Sequence, residues 1–371
     1  MNIPNLPPFQ SHGAIQPITC VEMHTAGEPT RIIWTGFPNL TGTLLEQREQ
    51  AKAKHDDFRR LLMLEPRGHY DMYGAILCPE TELVDAGQAD IGVLFMHNDG
   101  FSTMCGHATI ALGRFLVDAD EAVFPRRQQL ERDRRTGTTS VKLHAPCGVV
   151  EITVPTLASG QSDPARPVSF VSVPSFATAL SLTVELPETH RWPELQGRTS
   201  VTADFALLKD AVISNPDLEY VYADVETGEP GFLYSIMITD KSMGLVKAAE
   251  NTATCRAQQG VASEETGLCF FANQQIDRSP TGGCVAARVA LAHAKGDLGF
   301  AEKRMYNSLV TRGYKGVPGF VGSAVDQAGK KQSIRVKVEG YAYYTGYHAF
   351  VLEKEDGIGL DGFSLKDLKL Q

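Results

Sequence analysis

A single apolar helix constrains the fold of this chain more than any other stretch. Residues 108–117 are apolar nearly all round, and only Thr109 and Arg114 interrupt the pattern. A helix without a polar face is normally buried on every side, so the pattern predicts a core helix enclosed by other elements. Cys105 and Gly106 lie where this helix is predicted to begin.

The position of Cys105 makes it a candidate catalytic residue. The N–H groups at a helix start have no partner within the helix, and the helix dipole places partial positive charge there. A thiol at such a place is biased towards thiolate, which is the reactive form of cysteine. The alternative is that Cys105 is a small buried hydrophobe, which is the commoner role of a free cysteine. The local pattern alone leaves both interpretations open.

The second half of the chain repeats the same plan. Residues 285–294 form a second predicted apolar helix, and Thr281 occupies the place in front of it that Cys105 occupies in the first half. An apolar strand is predicted before each helix, at residues 91–96 and 267–272. The repeated order of strand, polar loop and buried helix predicts two similar halves.

Other elements follow from composition and periodicity. Residues 44–63 are charged and helix-favouring, which predicts one surface helix, and residues 241–265 are predicted to form a helix with a loop. Many short segments alternate with a period of two, which is typical of strands. The combination predicts an α+β protein.

Four long motifs carry a family resemblance. They lie at residues 23–29, 64–74, 92–114 and 277–280. These motifs closely resemble the proline racemase family, which includes hydroxyproline epimerases and trans-3-hydroxy-L-proline dehydratases. The resemblance extends from about Ile18 to Phe350.

The resemblance implies two pseudo-symmetric domains of the diaminopimelate-epimerase type, each with strands wrapped around a central helix. The active site is then expected at the domain interface, where the two helix N-termini face each other. We expect an N-terminal domain of residues 1–155 plus about 340–371, carrying Cys105, and a C-terminal domain of residues 156–339, carrying Thr281. Residues 156–167, rich in Pro, Ser, Gly and Asp, are the predicted linker.

The net charge and the distribution of the cysteines limit the kinds of partner and location that we expect. A net charge of −9 argues against a nucleic acid or an anionic membrane as the partner. No apolar run approaches the length of a membrane span, and residues 1–17 lack the apolar core of a signal peptide. The seven cysteines are scattered, without a CxxC pair or a His/Cys cluster, so no metal site is predicted. A reducing cytoplasm is the simplest location, and the resemblance implies a possible homodimer.

The two helix starts suggest how an amino acid is bound. Backbone N–H groups of Gly106, His107, Gly282 and Gly283 would clasp a carboxylate and stabilise the charge that develops as the α-carbon loses its proton. By resemblance, Asp277 supplies a negative charge for the substrate's ammonium, although alone it could be a turn or capping residue. His107 could hold the orientation or charge state of the thiol, or be a structural histidine.

The identity of residue 281 selects the expected reaction. Racemisation needs one base on each face of the α-carbon, and the family's racemases use two cysteines. Here Thr281 stands at the second position, and an alcohol is not a base near neutral pH. Dehydration of trans-3-hydroxy-L-proline to pyrroline-2-carboxylate needs only one thiol, Cys105, because its hydroxyl and α-hydrogen share a face. The family's dehydratases carry Thr at this place, and no cofactor is required.

One departure from the family keeps alternatives open. The family has Gly-Thr-Gly after the catalytic residue, whereas this chain has Gly282, Gly283 and Cys284. We expect Cys284 to pack inside the helix as an inert thiol. Alternatively, Cys105 and Cys284 act as two bases of a 4-hydroxyproline 2-epimerase or proline racemase. A third hypothesis is a catalytically silent protein that binds hydroxyproline.

Overall fold

The computed structural model describes residues 17–175, 177, 209–221, 233–239, 246–247, 260–272, 275–313, 317–328, 333–353 and 355–365. The chain divides into two compact units. The first comprises Met1–Ser172, Val317–Phe320 and Lys337–Gln371, and the second comprises Val173–Gly316 and Val321–Val336. Each unit contains one of the two apolar helices that the sequence predicts, and each helix has 13 residues.

Strands outnumber helices throughout the described ranges. The strands are β1 (Ile18–Thr25), β2 (Glu28–Thr35), β3 (Tyr73–Cys78), β4 (Ile91–His97), β5 (Gly100–Ser102), β6 (Arg132–Asp133), β7 (Thr138–Ala145), β8 (Gly148–Pro155), β9 (Val168–Val171), β10 (Ser235–Thr239), β11 (Val246–Lys247), β12 (Val261–Phe271), β13 (Gln275–Asp277), β14 (Lys303–Asn307), β15 (Phe320–Ala328), β16 (Ser333–Gly340) and β17 (Ala342–Phe350). The helices are α1 (Leu44–Lys54), α2 (Asp56–Met63), α3 (Glu82–Asp85), α4 (Gly106–Asp118), α5 (Gly282–Ala294), α6 (Leu309–Gly313) and α7 (Gly357–Asp361). Among the residues placed by the structure, none of these helices has the length and hydropathy that crossing a membrane requires.

One mixed sheet forms the first unit. Hydrogen-bonded neighbours follow the order β17, β1, β2, β3, β4, β7, β8 and β9, and residues 337–340 at the end of β16 pair with β9. The pairs β2–β3 and β4–β7 are parallel, and the other pairs in this series are antiparallel. The sheet is wrapped around α4, which contacts β1, β2, β3, β7, β8, β9 and β17.

Helix α4 is the centre of that unit. Of its residues only Arg114 and Asp118 escape full burial, which confirms the core helix predicted from the apolar pattern. The Arg114 guanidinium donates to Ser162 Oγ at 3.2 Å and stacks over the Tyr344 ring at 4.9 Å, so the helix is also fixed at its polar end. Rotation of α4 about its axis would bury its charged side chains, which is energetically costly. The direction in which its first turn points is therefore defined.

The second unit repeats the order of strand, loop and helix. Strand β12 pairs with β10, β11 and β13 in antiparallel fashion and with β14 in parallel fashion. Helix α5 buries Val285, Val289 and further small residues along its length. Gly322 on β15 allows this helix to approach, since a Cβ there would lie 2.7 Å from Val289 Cγ2. The α+β class is confirmed.

Three expectations from the sequence need correction. Residues 246–247 and 261–265 are strand, so the helix predicted at 241–265 is wrong in the part that the structure describes. The Glu264 and Glu265 side chains are buried, not solvated, because Arg312 and Arg288 pair with them. Two consecutive charged residues are therefore compatible with a buried strand at this place.

The single surface helix predicted at residues 44–63 is instead two helices, α1 and α2, that meet at His55. Residues 156–172 lie in the first unit, because β9 pairs with β8, whereas the sequence placed a boundary after residue 155. Cys255, one of the seven cysteines, and residues 202–207, where the chain departs from the family's pattern, fall outside the described residues.

The close packing around Gly113 predicts the effect of one methyl group. A Cβ on Gly113 would lie 2.6 Å from Ile152 Cγ2, 3.2 Å from Val168 Cγ1 and 3.3 Å from Val154 Cγ2. We expect Gly113→Ala to lower the free energy of unfolding by a net ~1–2 kcal/mol, because overpacking outweighs alanine's better helix propensity. Urea denaturation measures the change. The control is Gly100→Ala, where no atom lies within 4 Å of the added Cβ; equal stability of both variants would contradict the packing argument.

Candidate active site

Cys105 lies immediately before α4, in the first unit. Strand β4 and the hairpin to β5 bring the chain to this point, and Cys105 is the N-cap residue with φ −144° and ψ 117°. Its thiol makes no capping hydrogen bond, and the residue is 8% exposed. The thiol therefore stands beside the first N–H groups of the helix without capping them. Those N–H groups belong to Gly106, His107 and Ala108.

The imidazole of His107 is a titratable partner of the thiol. Nδ1 of His107 lies 3.2 Å from Cys105 Sγ, and Nε2 lies 3.6 Å from it. A neutral imidazole at this distance can accept the thiol proton and leave a thiolate, which is the usual way of activating a cysteine. The sequence left His107 open between a structural and a supporting role, and the geometry brings the two side chains into contact.

Two residues that sequence analysis did not select hold His107 in place. Thr25 Oγ1, at the end of β1, donates to the His107 carbonyl at 2.9 Å. The Tyr73 ring, at the start of β3, contacts the imidazole edge-on, with centroids 4.8 Å apart and planes inclined by 75°. The Tyr73 hydroxyl is in turn hydrogen-bonded to Ser102 Oγ on β5. Both residues lie in motifs shared with the family, but no local pattern indicated these contacts.

A second histidine near this site stays uncharged. His97 ends β4, and its ring lies 5.9 Å from that of Tyr73. Burial, reinforced by the Arg59 guanidinium, lowers the pKa of His97 to about 3. It is therefore neutral at physiological pH, and its Nδ1 accepts the backbone N–H of Asp99 at 3.2 Å. This hydrogen bond orders the turn that leads to β5 and Cys105.

The second unit carries a different polar arrangement before α5. Asp277 ends β13 and is 3% exposed. Its Oδ1 accepts the backbone N–H of Ser279 at 2.8 Å, and its Oδ2 accepts the Thr281 hydroxyl at 2.6 Å. Ser279 Oγ accepts the Thr281 backbone N–H at 3.1 Å. The loop is therefore built around the Asp277 carboxylate.

Thr281 is the N-cap residue of α5 but does not cap it with its side chain. Its φ of 56° lies in the left-handed region, which is sparsely populated by β-branched residues. The hydroxyl is directed to Asp277 and makes no hydrogen bond to the helix. The side chain therefore leaves the first N–H groups of Gly282 and Gly283 to other acceptors. Gly283 is exposed, and no atom lies within 4 Å of where its Cβ would be.

Cys284 lies one turn into α5 and is 6% exposed. Its Sγ lies 3.7 Å from Ser235 Oγ, and it shares a hydrogen bond with the fully buried Cys269. That hydrogen bond, together with burial, raises the pKa of Cys269 well above its usual range. The Cys269 thiol also lies 3.4 Å from the Pro280 carbonyl, to which it can donate instead. The Cys284 side chain is thus packed against other residues of the second unit, as its place in the helix predicts.

The predicted site residues fall into two groups. The first unit brings together Cys105, Gly106 and His107, and the second unit brings together Asp277, Thr281, Gly282 and Gly283. Within the described ranges, no three His, Cys, Asp or Glu side chains lie close enough to hold a metal ion. Each group contains backbone N–H donors at a helix start and one pair with an ionisable member, Cys105–His107 in the first unit and Thr281–Asp277 in the second. A small zwitterion requires such donors and charges for binding.

Comparison with known proteins gives one family and consistent relatives. The family model described as Proline racemase matches residues 20–193 and 233–364. The human protein named trans-3-hydroxy-L-proline dehydratase is 36% identical, covering 98% of this chain and 98% of its own length. A Xenopus tropicalis protein named trans-L-3-hydroxyproline dehydratase is also 36% identical, over 99% and 100%. A Burkholderia cenocepacia trans-3-hydroxy-L-proline dehydratase is 31% identical, over 91% and 96%.

Two solved structures share the fold. A probable proline racemase from Agrobacterium radiobacter K84, with bound carbonate, has a TM-score of 0.67 and 20% identity, covering 94% of this chain and 97% of its own. A hydroxyproline epimerase from Agrobacterium vitis, with bound trans-4-hydroxy-L-proline, has a TM-score of 0.65 and 18% identity, covering 95% and 96%. At these identities the similarity concerns the fold alone. The predicted fold type is confirmed.

The surroundings of the thiols predict which cysteine reacts first with iodoacetamide. Cys105 lies at a helix start beside His107, whereas burial raises the pKa of the partly exposed Cys147. We expect carboxamidomethylation of Cys105 to be at least about tenfold faster than that of Cys147 near neutral pH, because the thiolate is the reacting species. Peptide mapping by mass spectrometry measures both rates. His107→Gln should slow only the first reaction, and earlier labelling of Cys147 in the unsubstituted protein would refute the assignment.

Proposed function

This chain belongs to the proline racemase family, and we propose that it is a hydro-lyase that converts trans-3-hydroxy-L-proline to pyrroline-2-carboxylate. Relatives named for this dehydration align along nearly the whole chain. The proposal includes the substrate, a small hydroxylated amino acid, and the absence of any metal or organic cofactor from the reaction.

The observation that carries the proposal is the unequal chemistry of the two helix starts. A thiol beside an imidazole precedes α4, whereas a threonine hydroxyl bound to a carboxylate precedes α5. A thiolate is basic enough to take an α-proton in a stabilised site, but an alcohol is not ionised near neutral pH. The chain therefore offers one suitable base at these two positions. One base is sufficient for a syn elimination and insufficient for racemisation with a base on each face.

The chemical steps use groups described above. His107 accepts the proton of Cys105, and the thiolate takes the α-proton of the substrate. The electron pair left on the α-carbon forms the C2–C3 double bond as the C3–O bond breaks, and the departing hydroxide takes the proton from the Cys105 thiol as water. The resulting enamine isomerises to pyrroline-2-carboxylate. These steps regenerate the Cys105 thiolate, His107 returns its proton to it, and no electrons are gained or lost overall.

Substrate binding is assigned to donors and charges at the same helix starts. We assign the carboxylate of the substrate to the backbone N–H groups of Gly106, His107, Gly282 and Gly283, since helix N-termini bind anions and stabilise developing negative charge. Asp277 supplies the negative charge that balances the ammonium of the substrate. Cofactor-free chemistry is reasonable because the leaving hydroxyl removes the negative charge that the α-carbon acquires.

The packing of Cys284 does not favour the two-base alternative. Its thiol is 6% exposed and contacts Ser235 and Cys269, so a second base at this place would have to leave its hydrogen-bonded surroundings. A catalytically silent binding protein is likewise less well supported, because binding alone does not need a thiol 3.2 Å from an imidazole nitrogen. A cytoplasmic location and a homodimer, both expected from the sequence, stay predictions.

Substitution of the proposed base gives a direct test. We expect Cys105→Ser to lower the rate of dehydration by at least about 10³-fold, because a serine hydroxyl is not ionised near neutral pH and general-base catalysis is lost. Product formation is measured by chromatography of pyrroline-2-carboxylate, and an unchanged melting temperature shows that the fold is intact. Cys78→Ser, which removes a buried thiol elsewhere in the first unit, is the control. Activity of Cys105→Ser near that of the unsubstituted enzyme would refute the assignment.

Substitution of Thr281 separates the one-base and two-base mechanisms. Thr281→Ala should weaken dehydration without abolishing it, since the residue contributes a hydrogen bond and no base. Thr281→Cys places a thiol at a helix N-terminus, where its pKa is lowered, and should introduce some C2 epimerisation of 4-hydroxyproline. Solvent deuterium entering the α-carbon with inverted configuration measures this activity.

The unsubstituted enzyme should not epimerise 4-hydroxyproline, and Cys284→Ala should not change that result. If the unsubstituted enzyme epimerises efficiently and Cys284→Ala removes the activity, the one-base mechanism is wrong and Cys284 is the second base.

A further inference from the structure

The direction of one hydrogen bond determines what Thr281 can offer to a ligand. The Thr281 hydroxyl lies 2.6 Å from Asp277 Oδ2 and donates to it. An ionised carboxylate has no hydrogen to give, so the single hydroxyl proton of Thr281 is committed to Asp277. The oxygen of Thr281 then retains only lone pairs. Towards any bound molecule it is an acceptor and cannot act as a donor.

Neighbouring groups keep the hydroxyl in this state. Asp277 cannot turn away easily, because its other oxygen accepts the Ser279 N–H at 2.8 Å and the residue is 3% exposed. Thr281 is itself restrained, because Ser279 Oγ accepts its backbone N–H. The Cys269 thiol is a competing acceptor for the hydroxyl, but a carboxylate oxygen at 2.6 Å is the stronger one. Asp277 is therefore a positioning residue for Thr281.

We propose that the Thr281 oxygen, locked as an acceptor by Asp277, receives an N–H of the substrate's ring ammonium. This inference rests on the proposed function only in taking an amino acid of the proline type as the substrate. Thr281 is half-buried, whereas Asp277 is almost completely buried. The threonine thus presents the charge of Asp277 to the ligand in the form of a polarised oxygen.

The ammonium fits this acceptor better than the 3-hydroxyl does. The 3-hydroxyl has to gain a proton as it leaves. An acceptor to which the 3-hydroxyl donates a hydrogen bond would oppose that departure. An ammonium has hydrogens to donate and carries a positive charge, and hydrogen bonds with an ionised partner are about twice as strong as neutral ones. The hydrogen bond from the Thr281 hydroxyl to Asp277 also explains why Thr281 cannot return a proton to the second face of the α-carbon.

The test compares two ligands that differ at the ring heteroatom. L-Proline carries the ammonium, and (S)-tetrahydrofuran-2-carboxylate has a ring oxygen in its place, and neither has a 3-hydroxyl to eliminate. Their dissociation constants are measured by calorimetry for each variant of the full chain. Thr281→Val, which is nearly isosteric, should reduce the preference for L-proline by about 10- to 100-fold, the range of one hydrogen bond to a charged group. Thr281→Ser keeps the acceptor and should stay within about threefold of the unsubstituted protein, well below one such hydrogen bond.

Two further variants keep the test decisive. Thr281→Ala should repeat the loss of preference, so that a folding defect of the valine variant does not decide the result. Thr136→Val makes the same chemical change at an exposed threonine bonded to Thr138, and should change nothing. An unaltered preference in both Thr281→Val and Thr281→Ala overturns the proposal, as does an unsubstituted protein that does not prefer L-proline. Dehydration is assayed separately, so a loss of preference without any turnover supports this inference while refuting the proposed function.

Discussion

The burial of α4 is the interaction on which the first unit depends. Its strands close around a helix that is apolar on nearly all sides, so seven strands pack against this one element. A fully enclosed helix cannot shift along its axis or rotate without opening gaps in a close-packed interior. The direction of its first turn is then as rigid as the core. Cys105 and His107 inherit that rigidity, which is the condition for a thiol and an imidazole to stay 3.2 Å apart.

The second unit uses the same plan with different polar groups. Both helices begin beside a strand end and a short loop, and neither is capped by the side chain at its N-cap position. In the first unit the residue before the helix meets a base, His107, and in the second it meets an acid, Asp277. The same architecture thus supports two unlike polar arrangements. The partner follows Cys105 in the first unit and precedes Thr281 in the second, and the N-cap backbone also differs, with a φ of −144° at Cys105 and 56° at Thr281.

Much of the fold and of the candidate site could be predicted from the sequence, because burial leaves a pattern in consecutive residues. The two apolar helices and the places of Cys105 and Thr281 at their starts follow from such patterns. The contacts of Thr25 and Tyr73 with His107 could not be predicted, since they join residues far apart in the chain. The positive φ of Thr281 also has no sequence signal, because a β-branched residue is the least expected there. The strand over residues 261–265 was not predicted, because its carboxylates pair with arginines far along the chain, and such pairs leave no local pattern in the sequence.

The ion pair between Glu265 and Arg288 has a consequence for the evolution of the chain. Arg288, on α5, donates two hydrogen bonds to a carboxylate on β12 that is 4% exposed. Loss of Arg288 alone leaves this buried carboxylate without its guanidinium, which costs about 3–5 kcal/mol. Loss of Glu265 instead leaves a guanidinium that is 31% exposed and can be solvated by water. A lineage can therefore leave this pairing by changing Glu265 first, whereas substitution of Arg288 is blocked for as long as Glu265 remains.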